Sequence, residues 1–165
     1  MRTIPDVTKR SADHYAQSTP RPYPPERSGV DHCFGCSPSN DKGLRLEFFR
    51  HDDGTIETRH QTAGHHCGFD NVIHGGIQAV ILDEVMGVAA QSSLPTKAPD
   101  LACATAEMRL TYLRPAFTAD EVIGRAWVVA VAGRDIHVKA VLLSSDMVEL
   151  TTAESRWRQM GTEPS

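Results

Sequence analysis

The sequence predicts an α+β fold in which an antiparallel sheet curls round one long buried helix, and three features lead there. The stretch GIQAVILDEVMGVAAQ (76 to 91) is apolar on nearly every face, the mark of a helix enclosed by protein. Two strand-like runs precede it and a series of period-two runs follows it. The links between the later runs are too short for parallel crossovers, so the sheet is antiparallel and belongs beside the helix rather than alternating with it.

Taken in order, residues 1 to 30 hold five of the ten prolines (Pro5, Pro20, Pro22, Pro24, Pro25), mixed charges and no helical or strand period. Such a segment buries little apolar surface and is expected to be a flexible arm, or a strap draped over the body formed by residues 31 to 160. From Gly43, the residues Leu44, Leu46 and Phe48 alternate with Arg45, Glu47 and Phe49, and Gly54 introduces a second run, Thr55 to His60. A two-stranded hairpin is the simplest reading. After the helix and a polar loop containing Pro95 and Pro99, strands are expected at about 102 to 114, 121 to 132, 135 to 144 and 147 to 157. Turn signals at Pro115 to Asp120, Gly133 to Asp135 and Ser145 to Asp146 separate them.

The totals exclude several classes of function. At 165 residues and 40% hydrophobic content, the chain suits one folded unit. A formal charge of −4 without a Lys/Arg cluster is the wrong surface for nucleic acid. The most apolar stretch, Ile77 to Ala90, is interrupted by Asp83 and Glu84, and the start MRTIPDVTKR lacks the apolar core of a secretory signal. A soluble, cytoplasmic protein is therefore expected, with Cys33, Cys36, Cys67 and Cys103 as thiols. Phosphate-loop, dinucleotide and Gly-x-Ser-x-Gly patterns are absent.

Two groups of residues suggest chemistry. His74, Gly75 and Gly76 lead directly into the helix, whose first N–H groups lack internal partners and carry the positive end of the dipole. Glycines there let a ligand approach the backbone, which suits a developing oxyanion, although a glycine pair also simply eases entry into a helix. Asp83 and Glu84 sit mid-helix among apolar neighbours, where a carboxylate needs a partner, and Arg109 or Arg114 is the plain structural choice for one of them. Adjacent helix residues point about 100° apart, so the two acids are not expected to share a site.

Gly76 and Asp83 are two turns apart, roughly 10 Å along the helix axis. A base or nucleophile and the oxyanion donors must all lie near 3 Å from one carbonyl, so a single helix serves both roles poorly. Two helices related by a two-fold would bring Gly76 of one chain to Asp83 of another, which predicts a dimer with two equivalent sites.

HGGIQAVILDE (74 to 84) closely resembles the signature of the hot-dog-fold acyl-CoA thioesterases of the PaaI-like group, in the 4-hydroxybenzoyl-CoA thioesterase superfamily. CFGCSPSNDKGLRLEF (33 to 48) resembles the entry segment of many members, and ATAEMRLTYLRP (104 to 115) resembles their strand after the helix. The resemblance implies a hot-dog fold and hydrolysis of acyl-CoA thioesters without metal or redox cofactor, in dimers or dimers of dimers. It implies Asp83 as nucleophile or general base, the Gly76 N–H with Gly75 as polarising donors, and His74 as the residue that positions the carbonyl or shapes the loop. Thr105 aligns with a position that carries an active-site hydroxyl in some members, yet strict alternation turns it away from Met108, Leu110 and Tyr112 unless a bulge intervenes. Some members have an asparagine six residues before the histidine, where this chain has Gly68.

His66 and Glu84 are further candidates for contacting substrate. His32, Cys33, Cys36, His65, His66 and Cys67 include one Cys-x2-Cys knuckle but no second well-spaced pair, so no metal site is expected. Two other readings remain open: a catalytically idle hot-dog module that binds acyl-CoA or a lipid-like ligand, and a hydratase or dehydratase that leaves the thioester intact.

Overall fold

The computed structural model describes residues 19–23, 32–94 and 102–161. Most of the proline-rich arm, and the loop segment holding Pro95 and Pro99, lie outside the described residues.

The elements run β1 (Arg21–Pro22), β2 (Phe48–Arg50), β3 (Ile56–Gln61), a short 3-10 turn (Gly64–His66), β4 (Cys67–Phe69), β5 (Val72–Ile73), α1 (Gly75–Ser92), β6 (Ala102–Tyr112), β7 (Glu121–Ala132), β8 (Asp135–Ser144) and β9 (Glu149–Met160). Among the described residues, seven strands form one sheet in the order β1-β2-β3-β7-β8-β9-β6, every pair antiparallel, and β4 with β5 forms a small separate hairpin. The helix packs against β3, β6, β7, β8 and β9. This is the predicted architecture, a hot-dog fold.

Local departures from the expected boundaries have identifiable causes. Leu44 and Leu46 are buried as their alternation requires, but Arg45 takes φ +52 and breaks the ladder, so the strand begins only at Phe48. The backbone N–H groups of Leu44 and Leu46 instead donate to the carbonyls of Phe34 and Gly35, which ties the Cys33–Cys36 loop to the sheet. Met147 takes φ +64 in the β8–β9 turn, so β9 starts at Glu149 rather than 147 and runs on to Met160. Arg21 and Pro22 pair with Phe49 and Arg50, adding a two-residue strand where no strand pattern was legible. Proline is tolerated there because β1 is the sheet's outermost strand.

Ile81, Leu82, Val85, Met86 and Ala90 of α1 are fully buried against Ile56, Ala126, Ile136 and Leu142. Gly87 permits the closest approach: a Cβ built there would stand 2.8 Å from the Trp157 ring. The opposite face of the sheet carries a second apolar cluster, Ile123, Trp127, Val141 and Leu143, and beside it an ion-pair network. Glu57 of β3 lies opposite Arg125 of β7, is wholly buried, and accepts from Arg125 Nε (2.7 Å), Arg59 Nε (2.8 Å) and His51 Nε2 (2.9 Å).

Burial alone would raise the Glu57 carboxyl, but the Arg59 hydrogen bond, the charge of Arg125, and the bonds from His51 and Arg125 outweigh it and hold the group below the usual carboxylate range. A lowered folded-state value adds stability above the ordinary glutamate titration near ~4.3, and that stability is lost as pH falls through the lowered value. Glu57→Gln removes the buried carboxylate on which Arg125, Arg59 and His51 converge, and is expected to lower the unfolding free energy by about 3 kcal/mol at neutral pH. Urea unfolding of both proteins from pH 7 down to acid should show that gap closing as the medium is acidified; a gap constant across the range would contradict this assignment.

Candidate active site

The hairpin β4–β5 delivers the chain to the start of α1. Asn71 makes its turn with φ +59, and the Ile73 N–H donates to Ala116 O (2.8 Å). Gln78, buried one turn into the helix, donates to Ile73 O (3.3 Å) and accepts the Thr151 hydroxyl (2.6 Å), fixing the helix start to β9. Tyr112 Oη of β6 donates to Gly75 O (3.0 Å), and a Cβ on Gly75 would lie 3.2 Å from that oxygen. Gly75 is therefore a residue of close approach, but the group that approaches it here is the chain's own Tyr112.

His74 is the N-cap of α1: its Nδ1 accepts the Gly76 N–H at 2.8 Å. That bond requires Nδ1 to be unprotonated. It also changes the expectation for the oxyanion donors, because the Gly76 N–H already has an acceptor while the Gly75 N–H has none among the described residues. Gly68 packs against the same ring, where a Cβ would stand 2.9 Å from His74 Cδ2, so an asparagine at this position would displace His74. His66 supports the loop through its backbone, its carbonyl accepting the His74 N–H (2.8 Å), and its Nδ1 accepts the Ala63 N–H (3.2 Å). The His66 ring lies 4.3 Å from His65 and 5.5 Å from His60, centroid to centroid.

Sequence reasoning missed His60. Its Nε2 is buried without a hydrogen-bond partner, and burial followed by the neighbouring His66 holds the ring's pKa below the ordinary histidine value. His66 is lowered as well, by burial and then by His65. Tyr112 and Gln78 were missed too, because their roles depend on contacts 37 and 73 residues away in the chain.

Asp83 and Glu84 diverge as their adjacency predicted. Asp83 faces β6, where Thr105 Oγ1 donates to its Oδ1 at 2.8 Å. The pairing of β6 with β9 slips by one residue between Thr105 and Glu107, so Ala106 is a bulge, and Thr105 returns to the helix-facing side with Met108, Leu110 and Tyr112. Glu84 faces the other way: its Oε1 accepts the Cys33 thiol at 3.4 Å, and a Cβ on Gly35 would fall 2.2 Å from Glu84 Cγ. A hydroxyl and a thiol thus supply donors where an arginine was expected, while Arg114 donates to Glu149 O. Among the described residues, Cys33, Cys36 and Glu84 are the group whose possible metal-ligating atoms lie within 4.8 Å of one another. His65, His66 and Cys67 do not join it.

The geometry therefore pairs Asp83 with a hydroxyl on an edge strand and leaves an open N–H two turns away at Gly75. Residues 70–151 match the thioesterase superfamily. The chain carries a domain of that superfamily. The thioesterase domain is also similar to Verlamelin biosynthesis protein B of a Lecanicillium species, at 30% identity over 55% of this chain and 50% of that protein. Among solved structures, a thioesterase superfamily protein superposes with TM-score 0.70 at 22% identity, covering 77% of this chain and 60% of that one. A Bacillus halodurans protein crystallised with CoA superposes with TM-score 0.64 at 21% identity, covering 73% of this chain and 77% of that one. The chain thus spans half the length of the curated relative and less than two thirds of the first of these structures. No helix among the described residues is long and apolar enough to cross a membrane.

Replacing the His74 cap tests the local account. His74→Ala should lower stability by about 1 kcal/mol, the usual worth of an N-cap, and hydrogen exchange at Gly76 should accelerate. Unchanged exchange at Gly76 would mean that the ring does not hold this N–H in solution.

Proposed function

We propose that this chain is the subunit of an acyl-CoA thioesterase whose active site joins Asp83 and Thr105 of one copy to the helix start of a second copy. The observation that carries the reading is the Thr105–Asp83 hydrogen bond of 2.8 Å, made possible by the bulge in β6. A mid-helix carboxylate oriented by a hydroxyl at the rim of the sheet is a positioned base or nucleophile.

The remaining requirement is a donor for the oxygen of the thioester, and along one helix it is too distant, since Gly75 and Asp83 are roughly 12 Å apart on the axis. A second copy removes that difficulty. Among the described residues β6, eleven residues long, ends the sheet, and an edge strand of that length invites pairing with another chain. Phe69, Tyr112, Leu113 and Phe117 are exposed, and two of them flank the helix start, Tyr112 bonding Gly75 and Phe117 bridging to Val72; such apolar surface is what a dimer contact would cover.

In the assembled site the Gly75 N–H polarises the thioester carbonyl, joined by the Gly76 N–H when the His74 ring swings off it. Asp83 then attacks the carbonyl carbon directly, or takes a proton from a water that does so. The tetrahedral intermediate collapses with loss of CoA thiolate, giving the free acid after hydrolysis. His66 and the exposed aromatic residues shape the acyl entrance. The CoA held by the Bacillus halodurans relative supports CoA as the carrier of the acyl group here.

A panel of acyl-CoA esters assayed with a thiol reagent tests this directly. The wild-type chain should release thiol from at least one ester. Asp83→Asn should reduce turnover by three orders of magnitude or so while the protein stays folded and assembled. Ligand binding without thiol release would favour the idle module, and hydration of an enoyl-CoA with its thioester intact would favour the hydratase.

Thr105 has a graded expectation. Thr105→Ser keeps the hydroxyl and should stay within a few-fold of wild type, whereas Thr105→Val should lower kcat by roughly 10- to 100-fold with little change in KM. Equal effects from both substitutions would remove the hydroxyl from the account.

A further inference from the structure

The thioesterase reading leaves one chemically competent group unused, the Cys33–Cys36 pair against Glu84. We infer that Cys33 and Cys36 are a reversible dithiol–disulfide site, held in its reduced form by Glu84 and open to exchange with small-molecule disulfides. This inference does not depend on the thioesterase reading.

Three features of the loop support it. The Cys36 thiol donates to Cys33 Sγ at 2.9 Å, so the two sulfurs are already in contact across a Cys-x2-Cys turn. The Cys36 backbone N–H also donates to Cys33 Sγ, at 3.3 Å. Both contacts converge on Cys33 Sγ, so the turn already holds the two sulfurs along the approach that bond formation between them needs. The pair is only partly buried, within reach of a small reagent, whereas the Cys103 thiol is pushed up by burial and is correspondingly less reactive.

Cys33, Cys36 and Glu84 also lie close enough together to share a cation, an outcome that the chelator arm of the test separates from the disulfide.

The exchange balances as follows. Cys33 loses its proton through the Glu84 carboxylate to solvent, and the thiolate attacks one sulfur of a disulfide such as oxidised glutathione, expelling one glutathione thiolate. Cys36, deprotonated in turn, attacks Cys33 Sγ in the mixed disulfide and expels the second. The protein dithiol gives up two electrons and two protons; the reagent is reduced to two thiols. Closing the bond removes the S–H donor that Glu84 accepts in the reduced form. Glu84 follows Asp83 on α1 and has Gly35 packed on its side chain, so the helix senses the redox state of the loop.

The test is a redox titration of the full chain in glutathione buffers, quenched with acid, alkylated and mapped by mass. The expected result is a single two-electron transition confined to the peptide holding residues 33 and 36, reversed by dithiothreitol and absent in Cys33→Ser and in Cys36→Ser. Glu84→Gln weakens the bond that favours the dithiol, and should shift the midpoint toward the disulfide by about three- to tenfold in the glutathione ratio. Three results would overturn the inference: both thiols alkylated even in the most oxidising buffer, a disulfide formed with Cys67 or Cys103, or thiols shielded from alkylation until a chelator is added. An unshifted midpoint in Glu84→Gln would remove Glu84 from it.

Discussion

A helix that is apolar nearly all round has no face to give to water, and enclosing α1 is the constraint on which the rest of the molecule depends. One sheet face covers only part of a cylinder, so the sheet has to curl, and β3, β6, β7, β8 and β9 all reach the helix. Gly87 lets Trp157 approach on one side. The Cys33–Cys36 loop, anchored by Leu44 and Leu46, covers another.

Within that wrapping the two acidic residues of α1 are the exceptions, and each leaves through a different gap. Asp83 meets the Thr105 hydroxyl on β6, the last of the described strands in the sheet order, and Glu84 meets the Cys33 thiol under the loop. Carboxylates placed in an apolar setting are tolerated because each has a hydrogen-bond donor. That leaves one of them beside the β6 edge, where a second copy is proposed to dock, and the other beside a dithiol. The two proposals made for this protein thus share one physical origin.

Much of this was legible from residues alone. The buried helix followed from its unbroken apolar composition, and β7 and β8 from alternation bounded by turn residues. The divergence of Asp83 and Glu84 followed from helix geometry. What alternation missed were backbone irregularities: φ at Arg45 and Met147, and the bulge at Ala106 that returns Thr105 to the helix side. A period-two pattern carries no mark of a one-residue slip, so Thr105 became credible only through its resemblance to family members. The His74 cap on Gly76, the Gln78 bridge and the buried His60 were not legible, because each depends on side-chain contacts that spacing does not encode.

The central claim is a site shared between two copies, and subunit complementation tests it most directly. Gly75→Pro removes the N–H at the first helical position, whose φ proline favours, although Tyr112 must yield to the added Cβ by a few tenths of an ångström; Asp83→Asn removes the carboxylate, so each variant alone should be inactive. Mixed and allowed to exchange subunits, they should regain about a quarter of wild-type activity, since half the dimers are hybrids with one intact site each. No recovery in mixtures shown to contain hybrid dimers would place both groups within a single chain and contradict the account.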